Sequence, residues 1–407
     1  MTEPTPLTDP RTRATEVATD IATRLADPAA VVDHARSWQP ASLGEGHAGI
    51  ALLFAELAAD DPGARRAAHA HITAAAPGVS NQHPSLFTGA PALAFAADRA
   101  RRGPGDYDRL LTRLDELVAD RARTLINAEN ERMAAGRPLT ETSSYDLING
   151  LVGLGVHLLN RDSPVVRDVL TCLVAMTEPV RVQGVEVPGW WVDAPPAPGL
   201  PTGHFNLGLA HGVTGLLPLL VRARGTVPGL DEAIERVRTW LAGLRLDGEH
   251  GTCWPSHVTW PDEAGPVPHE INAWCYGTAG VAHALQLSSD PAGTDLAVGA
   301  MRSALAAPRE AWGLVDSSLC HGLAGLLTVT QTMVENGATA LQDDLDALAV
   351  LLLDAFEPES PFGYRYTYRA DPQDRAGFLE GVAGIALALL RYARGSTATS
   401  WPTCLLL

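Results

Sequence analysis

Residues 318–330 read SLCHGLAGLLTVT. Two glycines three apart, Gly322 and Gly325, open an apolar run, and Cys320 and His321 stand immediately before them. The same Gly-x-x-Gly opening recurs at Gly46, Gly150, Gly212, Gly277 and Gly381, and once as Gly-x-x-Ala at Gly89. Successive openings are 43, 61, 62, 65, 45 and 59 residues apart, which leaves room for two helices and their loops each time. Repeats of that size mark stacked supersecondary units. Glycine at a helix start carries a conformational cost that close backbone approach would explain.

The runs behind the glycines, such as GIALLFAEL after His47-Ala48 and GLLPLLV from Gly215, are apolar all round, as buried helices are. Between them lie amphipathic stretches. In RLLTRLDELVADRARTLI, from Arg109, residues Leu110, Leu114, Leu117, Val118 and Leu125 fall near helical spacing. Inner apolar helices alternating with outer amphipathic ones give an all-α fold, an α/α toroid (barrel) of seven helical hairpins. An open solenoid is the alternative, but no polar capping repeat is evident, which favours closure. The expectation is one domain over 1–407. Residues 180–201 break the pattern and read as a β-hairpin-like insertion followed by a proline-rich loop. Residues 253–270 read as irregular.

Composition narrows the function. The chain has 407 residues, 46% of them apolar, and a net charge of −17, which gives no footprint for nucleic acid or anionic lipid. It contains no lysine, so a phosphate-loop lysine, a kinase lysine and a Schiff-base lysine are all excluded. Five cysteines in so long a chain argue against a disulfide framework and for a reducing compartment. The N-terminus has no signal-peptide apolar core, and no apolar run is long enough for a transmembrane segment. These features together point to the cytoplasm. The terminal CLLL formally fits a prenylation box but reads as a hydrophobic end packed on the core.

In a closed ring every inner helix starts at one rim, so the residues before each opening must converge. They are Glu45, Thr88, Asn149, His211, Tyr276, His321 and Glu380, preceded in the fifth and sixth repeats by Cys275 and Cys320. Cys275, Cys320 and His321 are therefore a candidate three-ligand zinc site with its fourth position open. Two thiolates and one neutral imidazole leave zinc formally uncharged, which suits activation of a substrate thiol over activation of water. His211 on the same rim is a candidate proton donor and acceptor. Asp146, four residues before Gly150, either reaches inward or caps the helix. Trp190, Trp191, Trp254 and Trp260 read as loop packing, with a peptide-binding lid as the alternative. His47, His83, His157, His204 and His283 show no ligand pattern.

The motifs YDLINGLVG, NLGLAHGVTG, AWCYGTAG, SLCHGLAG and GFLEGVAG, together with the sevenfold glycine pattern, resemble the lanthionine synthetase C-like family, over nearly the whole chain. The resemblance implies a toroid with Zn2+ at one end, held by Cys275, Cys320 and His321. It implies His211 as acid/base residue, Asp146 as its helper, and Trp274 and Tyr276 lining the site. The implied reaction is closure of (methyl)lanthionine thioether rings by adding precursor-peptide cysteine thiolates to dehydroalanine or dehydrobutyrine. The implied partners are a dehydrated precursor peptide (leader plus core), a separate dehydratase and an exporter, in a complex at most peripheral to a membrane. Many such cyclases carry an arginine four residues before the WCYG cysteine, where this chain has Ile271; Arg365 and Arg369 are candidate substitutes. Alternatives are addition of a small thiol such as glutathione, or a scaffold of altered activity in a peptide-modifying complex. A zinc prenyltransferase would carry an Asp-Cys-His set and basic residues for diphosphate, which this pattern lacks.

Overall fold

A computed structural model describes residues 9–34, 38–80, 83–260, 265–267, 271–288, 290–367 and 372–407. In chain order the helices are α1 (Pro10–Leu25), α2 (Pro28–His34), α3 (His47–Leu57), α4 (Pro62–Ala75), α5 (Ala90–Arg99), α6 (Asp108–Ala134), α7 (Leu151–Asn160) and α8 (Val166–Met176). They continue with α9 (Leu216–Arg222), α10 (Leu230–Gly243), α11 (Thr278–Ser288), α12 (Pro291–Ala306), α13 (Leu323–Glu335), α14 (Gln342–Asp354) and α15 (Val382–Arg394). Each glycine opening stands at the start of an odd-numbered helix from α3 to α15, directly or, before α9, through one 3-10 turn. These seven helices contact one another in sequence, and α15 contacts α3, so the ring is closed. Their outer partners are α4, α6, α8, α10, α12 and α14 for the first six; the partner of α15 is α1, from the other end of the chain. The fold is thus the expected toroid of seven hairpins, with the seventh assembled from both chain ends.

The outer helices are amphipathic, as their pattern requires, though α6 turns its face slightly from the expected one. Leu111, Leu114, Val118, Ala122 and Ile126 are its buried stripe, while Leu117 is 40% exposed. Steps of three and four residues from Leu111 hold one face over about four turns, whereas a stripe started at Leu110 drifts off it. Three outer helices, α1, α4 and α12, open with Asp-Pro: Asp9, Asp61 and Asp290 accept backbone N–H groups of the first turn, and proline occupies the position that needs no donor. Inner helices have no such side-chain cap on their glycines. Their first turns are embraced by the preceding loop instead.

The second glycine of each pair makes that embrace possible. A Cβ on Gly325 would lie 2.0 Å from the carbonyl oxygen of Leu319, and one on Gly384 would lie 1.9 Å from that of Phe378. The carbonyl six residues back therefore lies on the first helical turn, and only glycine leaves room for it. The intervening residues are lifted to the rim, where backbone bonds join neighbouring loops. Ala210 N donates to Cys275 O (3.4 Å), Cys275 N to Cys320 O (3.4 Å), Cys320 N to Leu379 O (2.9 Å) and Leu379 N to Gly44 O (3.3 Å). Residues at one register position in successive repeats are thus tied edge to edge.

Short strands decorate the ring. β1 (Val180–Val182) and β2 (Val185–Val187) form the expected hairpin, with Gln183 and Gly184 both at positive φ in the turn. β3 (His204–Asn206), β4 (Leu246–Gly248), β5 (Gly251–Cys253), β6 (His257–Thr259) and β7 (Gly265–Val267) follow. β4 pairs with β5, and β6 lies between β3 and β7 in a three-stranded sheet. The stretch expected to be irregular from 253 thus supplies strands; three-residue strands are too short to show a period in sequence. Trp190, Trp191 and Trp254 are buried, with Trp191 and Trp254 donating to the carbonyls of Trp260 and Leu241, so they pack under the loops.

The chain's final stretch fills the lumen. Thr399 N donates to Glu56 of α3, Arg99 of α5 donates to Thr399 O, and Asn160 of α7 bonds Thr403. Farther on, Leu406 O accepts from His283 of α11 at 2.9 Å. A segment touching so many inner helices can only run inside the ring. Trp401, Cys404 and Leu405 have no exposed surface, so CLLL is core, as its packing reading expects. Among the described residues no helix is long and apolar enough to cross a membrane.

Three buried histidines make this core sensitive to acid. His47 and His71 face each other at 3.1 Å through their Nδ1 atoms, and His283 sits in the lumen. Burial lowers each from 6.5 to about 4, in His71 against a raising bond to Leu25 O and in His283 against one to Leu406 O. Folded values below the unfolded ones mean that this stability is fully present above about pH 6.5 and is lost as pH falls toward 4. The loss is on the order of 3 kcal/mol per histidine. The urea midpoint should therefore drop steeply between pH 7 and 5. His283→Gln should flatten that dependence; an unchanged slope would mean that His283 is not held neutral.

Candidate metal centre and acid–base pair

The loops before α11 and α13 bring Cys275, Cys320 and His321 together. One ligand atom from each lies within 4.8 Å of the other two. Tetrahedral zinc with Zn–S bonds of about 2.3 Å needs sulfurs about 3.8 Å apart, so two thiols and an imidazole at these separations fit the ion in both donor type and spacing. The hydrogen bond from Cys320 draws the Cys275 thiol down to about 6 against the opposing effect of burial, with His321 and His211 assisting. Cys320 moves the other way, well above the usual thiol range, because it is the donor to Cys275, is buried, and faces Glu380 and Asp316. The hydrogen bond between the two sulfurs thus favours ionisation of Cys275 and holds the proton on Cys320, the proton that a bound cation would displace.

His211 precedes the fourth repeat's glycine. Its Nδ1 lies 2.8 Å from Asp146 Oδ2, and its ring is 40% exposed, while Asp146 is fully buried. Asp146 faces two ways. Oδ1 accepts the backbone N–H groups of Asn149 (2.6 Å) and Gly150 (3.1 Å) at the start of α7, while Oδ2 faces the histidine. Burial pushes His211 down, but the bond to Asp146, that carboxylate's charge and the nearby Cys275 outweigh it, so His211 ends above its usual value. With Nδ1 engaged, Nε2 is the atom that can exchange protons with a substrate.

Tyr276 stays on this side of the ring. Its hydroxyl accepts from Asn206 Nδ2 at 3.0 Å, its ring packs where Gly208 has no Cβ, and burial pushes it up to about 12. Trp274 does not share that surface, contrary to expectation. It has no exposed area, and its indole N–H donates to Leu405 O at 3.0 Å, so it anchors the lumenal plug. In the turn before α11, adjacent residues point to opposite sides, one to the rim and one to the lumen. Arg365 pairs with Glu357 at 3.5 Å and is half-exposed; Arg369 lies outside the described residues.

Sequence reasoning missed the residues around His321. Its Nε2 lies 3.1 Å from the hydroxyl of Tyr366 and 3.8 Å from Asp316 Oδ2. Tyr366 belongs to the same YRYTYR stretch in which the arginines drew attention. It has no counterpart in the repeat register, so no periodic signal marks it.

Comparison with known proteins agrees with this architecture. The family model described as Lanthionine synthetase C-like protein matches residues 37–406. The nisin biosynthesis protein NisC of Lactococcus lactis subsp. lactis is 22% identical over 348 residues, covering 79% of this chain and 77% of that protein. A solved structure of nisin cyclase superposes with a TM-score of 0.73 at 20% identity, over 97% of each chain, a likeness of fold. With seven glycine-opened hairpins closed into one ring and a match over nearly its whole length, the chain belongs to the lanthionine synthetase C-like proteins.

Proposed function

We propose that the chain is a zinc-dependent lanthipeptide cyclase that joins cysteine thiols to dehydroalanine or dehydrobutyrine within a dehydrated precursor peptide. The observation that carries this reading is the convergence of Cys275, Cys320 and His321 within 4.8 Å, on the same rim as the His211–Asp146 pair. Zinc held by those three residues would keep a substrate sulfur ionised yet nucleophilic, since two thiolate ligands leave the centre electron-rich. His211 handles the proton. As the new C–S bond forms at the β-carbon, the alkene electrons move toward the carbonyl, and the α-carbon must then be protonated. His211 Nε2, kept protonated to higher pH by Asp146, delivers that proton. Asp146 fixes the tautomer and is itself fixed by the start of α7. Tyr276, held neutral, lines the approach as a hydrogen-bonding wall.

The name of NisC ties that relative to nisin biosynthesis, and the nisin cyclase structure shares the fold. A dehydrated peptide as substrate, a separate dehydratase and a cytoplasmic setting belong to the same reading. Ile271 leaves the small-thiol and scaffold alternatives to be separated by experiment. A dehydrated peptide bearing cysteines should be incubated with the protein, with and without glutathione. Cyclisation leaves the mass unchanged and removes alkylatable thiols. Glutathione adducts would favour small-thiol transfer, and unchanged thiol counts would favour the scaffold.

A further inference from the structure

The rim residues Glu45 and Glu380, from the first and seventh repeats, take no part in the proposed chemistry, yet both bind one guanidinium. Arg375 pairs with Glu45 Oε1 at 3.1 Å and with Glu380. Its guanidinium carbon lies 3.9 Å from the centroid of the Tyr366 ring. Tyr366, 5% exposed, is also hydrogen-bonded to Glu380, and its hydroxyl meets His321 Nε2 at 3.1 Å. Backbone bonds between Tyr366 and Gln373 (2.9 and 2.8 Å), and one from Arg375 Nε to the Gln373 side chain (3.0 Å), hold this group to one geometry.

We propose that Tyr366 is a positioning residue for the metal centre: it accepts the Nε2–H of His321, donates to Glu380, and so locks His321 in the tautomer that offers Nδ1 to the metal. The inference rests on the metal site proposed above. A neutral imidazole has one protonated nitrogen, and a partner that accepts from Nε2–H obliges Nδ1 to carry the lone pair. A tyrosine hydroxyl can do this only if its own proton has somewhere to go, and Glu380 supplies the acceptor. Arg375 in turn fixes Glu380 and, through Glu45, ties the arrangement to the first repeat. Buried Asp316 Oδ2, 3.8 Å from Nε2 and without a hydrogen-bond partner among the described residues, adds negative potential on the same side. Partners of this kind typically change metal affinity by 10- to 100-fold.

The test is zinc affinity, read independently of cyclisation. Metal-free full-length protein and its Tyr366→Phe and Glu380→Gln variants are titrated with zinc against a chromophoric chelator. Tyr366→Phe keeps the ring under Arg375 and removes only the hydroxyl. It is expected to bind zinc about 10- to 100-fold more weakly, with circular dichroism unchanged and an altered ligand-field spectrum when cobalt replaces zinc. Glu380→Gln should weaken binding in the same direction by less, and it decides alone if the phenylalanine variant does not fold. Wild-type affinity in the folded variants would overturn the positioning role and leave the cyclase reading standing. No zinc binding by the wild-type chain would overturn both.

Discussion

Cys320→Ala is expected to strip the protein of zinc and abolish thioether formation. Three protein ligands hold the proposed ion, and the substitution removes one of two thiolates. It also removes the hydrogen bond that draws Cys275 down to about 6, so the remaining thiol, buried on all sides, reverts toward its neutral form. Both changes act in the same direction on metal affinity. The side chain is small and the backbone bonds of Cys320 to Leu379 and Cys275 do not depend on it, so the ring should stay folded. Elemental mass spectrometry on wild type and variant reads the outcome directly. Stoichiometric zinc in the folded variant would remove Cys320 from the ligand set.

The second large effect belongs to His211. His211→Asn should retain zinc and slow single-turnover ring closure by roughly 10²- to 10⁴-fold, the usual worth of a positioned acid. The pH profile gives the sign. His211 titrates above its usual value, so its protonated form, the proton donor, persists past pH 6.5 and is lost as pH rises further. The single-turnover rate should fall along that alkaline limb in the wild type, and the limb should vanish in His211→Asn. Asp146→Asn should lose rate through the wrong tautomer and lose some stability as well, since the same carboxylate accepts two backbone N–H groups of the turn that leads into α7. An unchanged single-turnover rate in His211→Asn would take the residue out of the reaction.

What could be read in advance followed from register. The glycine pairs mark backbone contacts that admit no Cβ, and a steric requirement met in six of the seven openings is visible in one sequence. It also aligns the residues ahead of it, which is why register alone places Cys275, Cys320, His321 and His211 on one rim. Trp274 shows the limit of that argument: adjacency to Cys275 along the chain says nothing about which side of a tight turn a side chain takes. Tyr366 comes from a stretch between repeats, where no period operates, while Asp316 and Arg375, each six residues before its glycine, hold a register position that a different residue type fills in every repeat. The two-sided bonding of Asp146 was invisible because an acceptor for turn N–H groups and a histidine partner call for the same residue at the same place. Nor could amphipathicity alone say that α1 is the outer partner of α15, since any outer helix has a similar stripe.

That last pairing bears on how the molecule is made. Ribosomes build α1 first and α15 almost last, at about 5–20 residues per second, so the partner of α1 emerges roughly 20 to 70 seconds later. Throughout that interval the stripe of Ala14, Val17, Ala18, Ile21 and Leu25 has nothing from the final hairpin to cover it. Six hairpins can form as an arc, but the arc has two bare edges until the tail arrives to fill the lumen and bring them together. Nascent chains of this design are therefore sticky for most of their synthesis, and their yield should depend on chaperones that shield an apolar helix until translation ends.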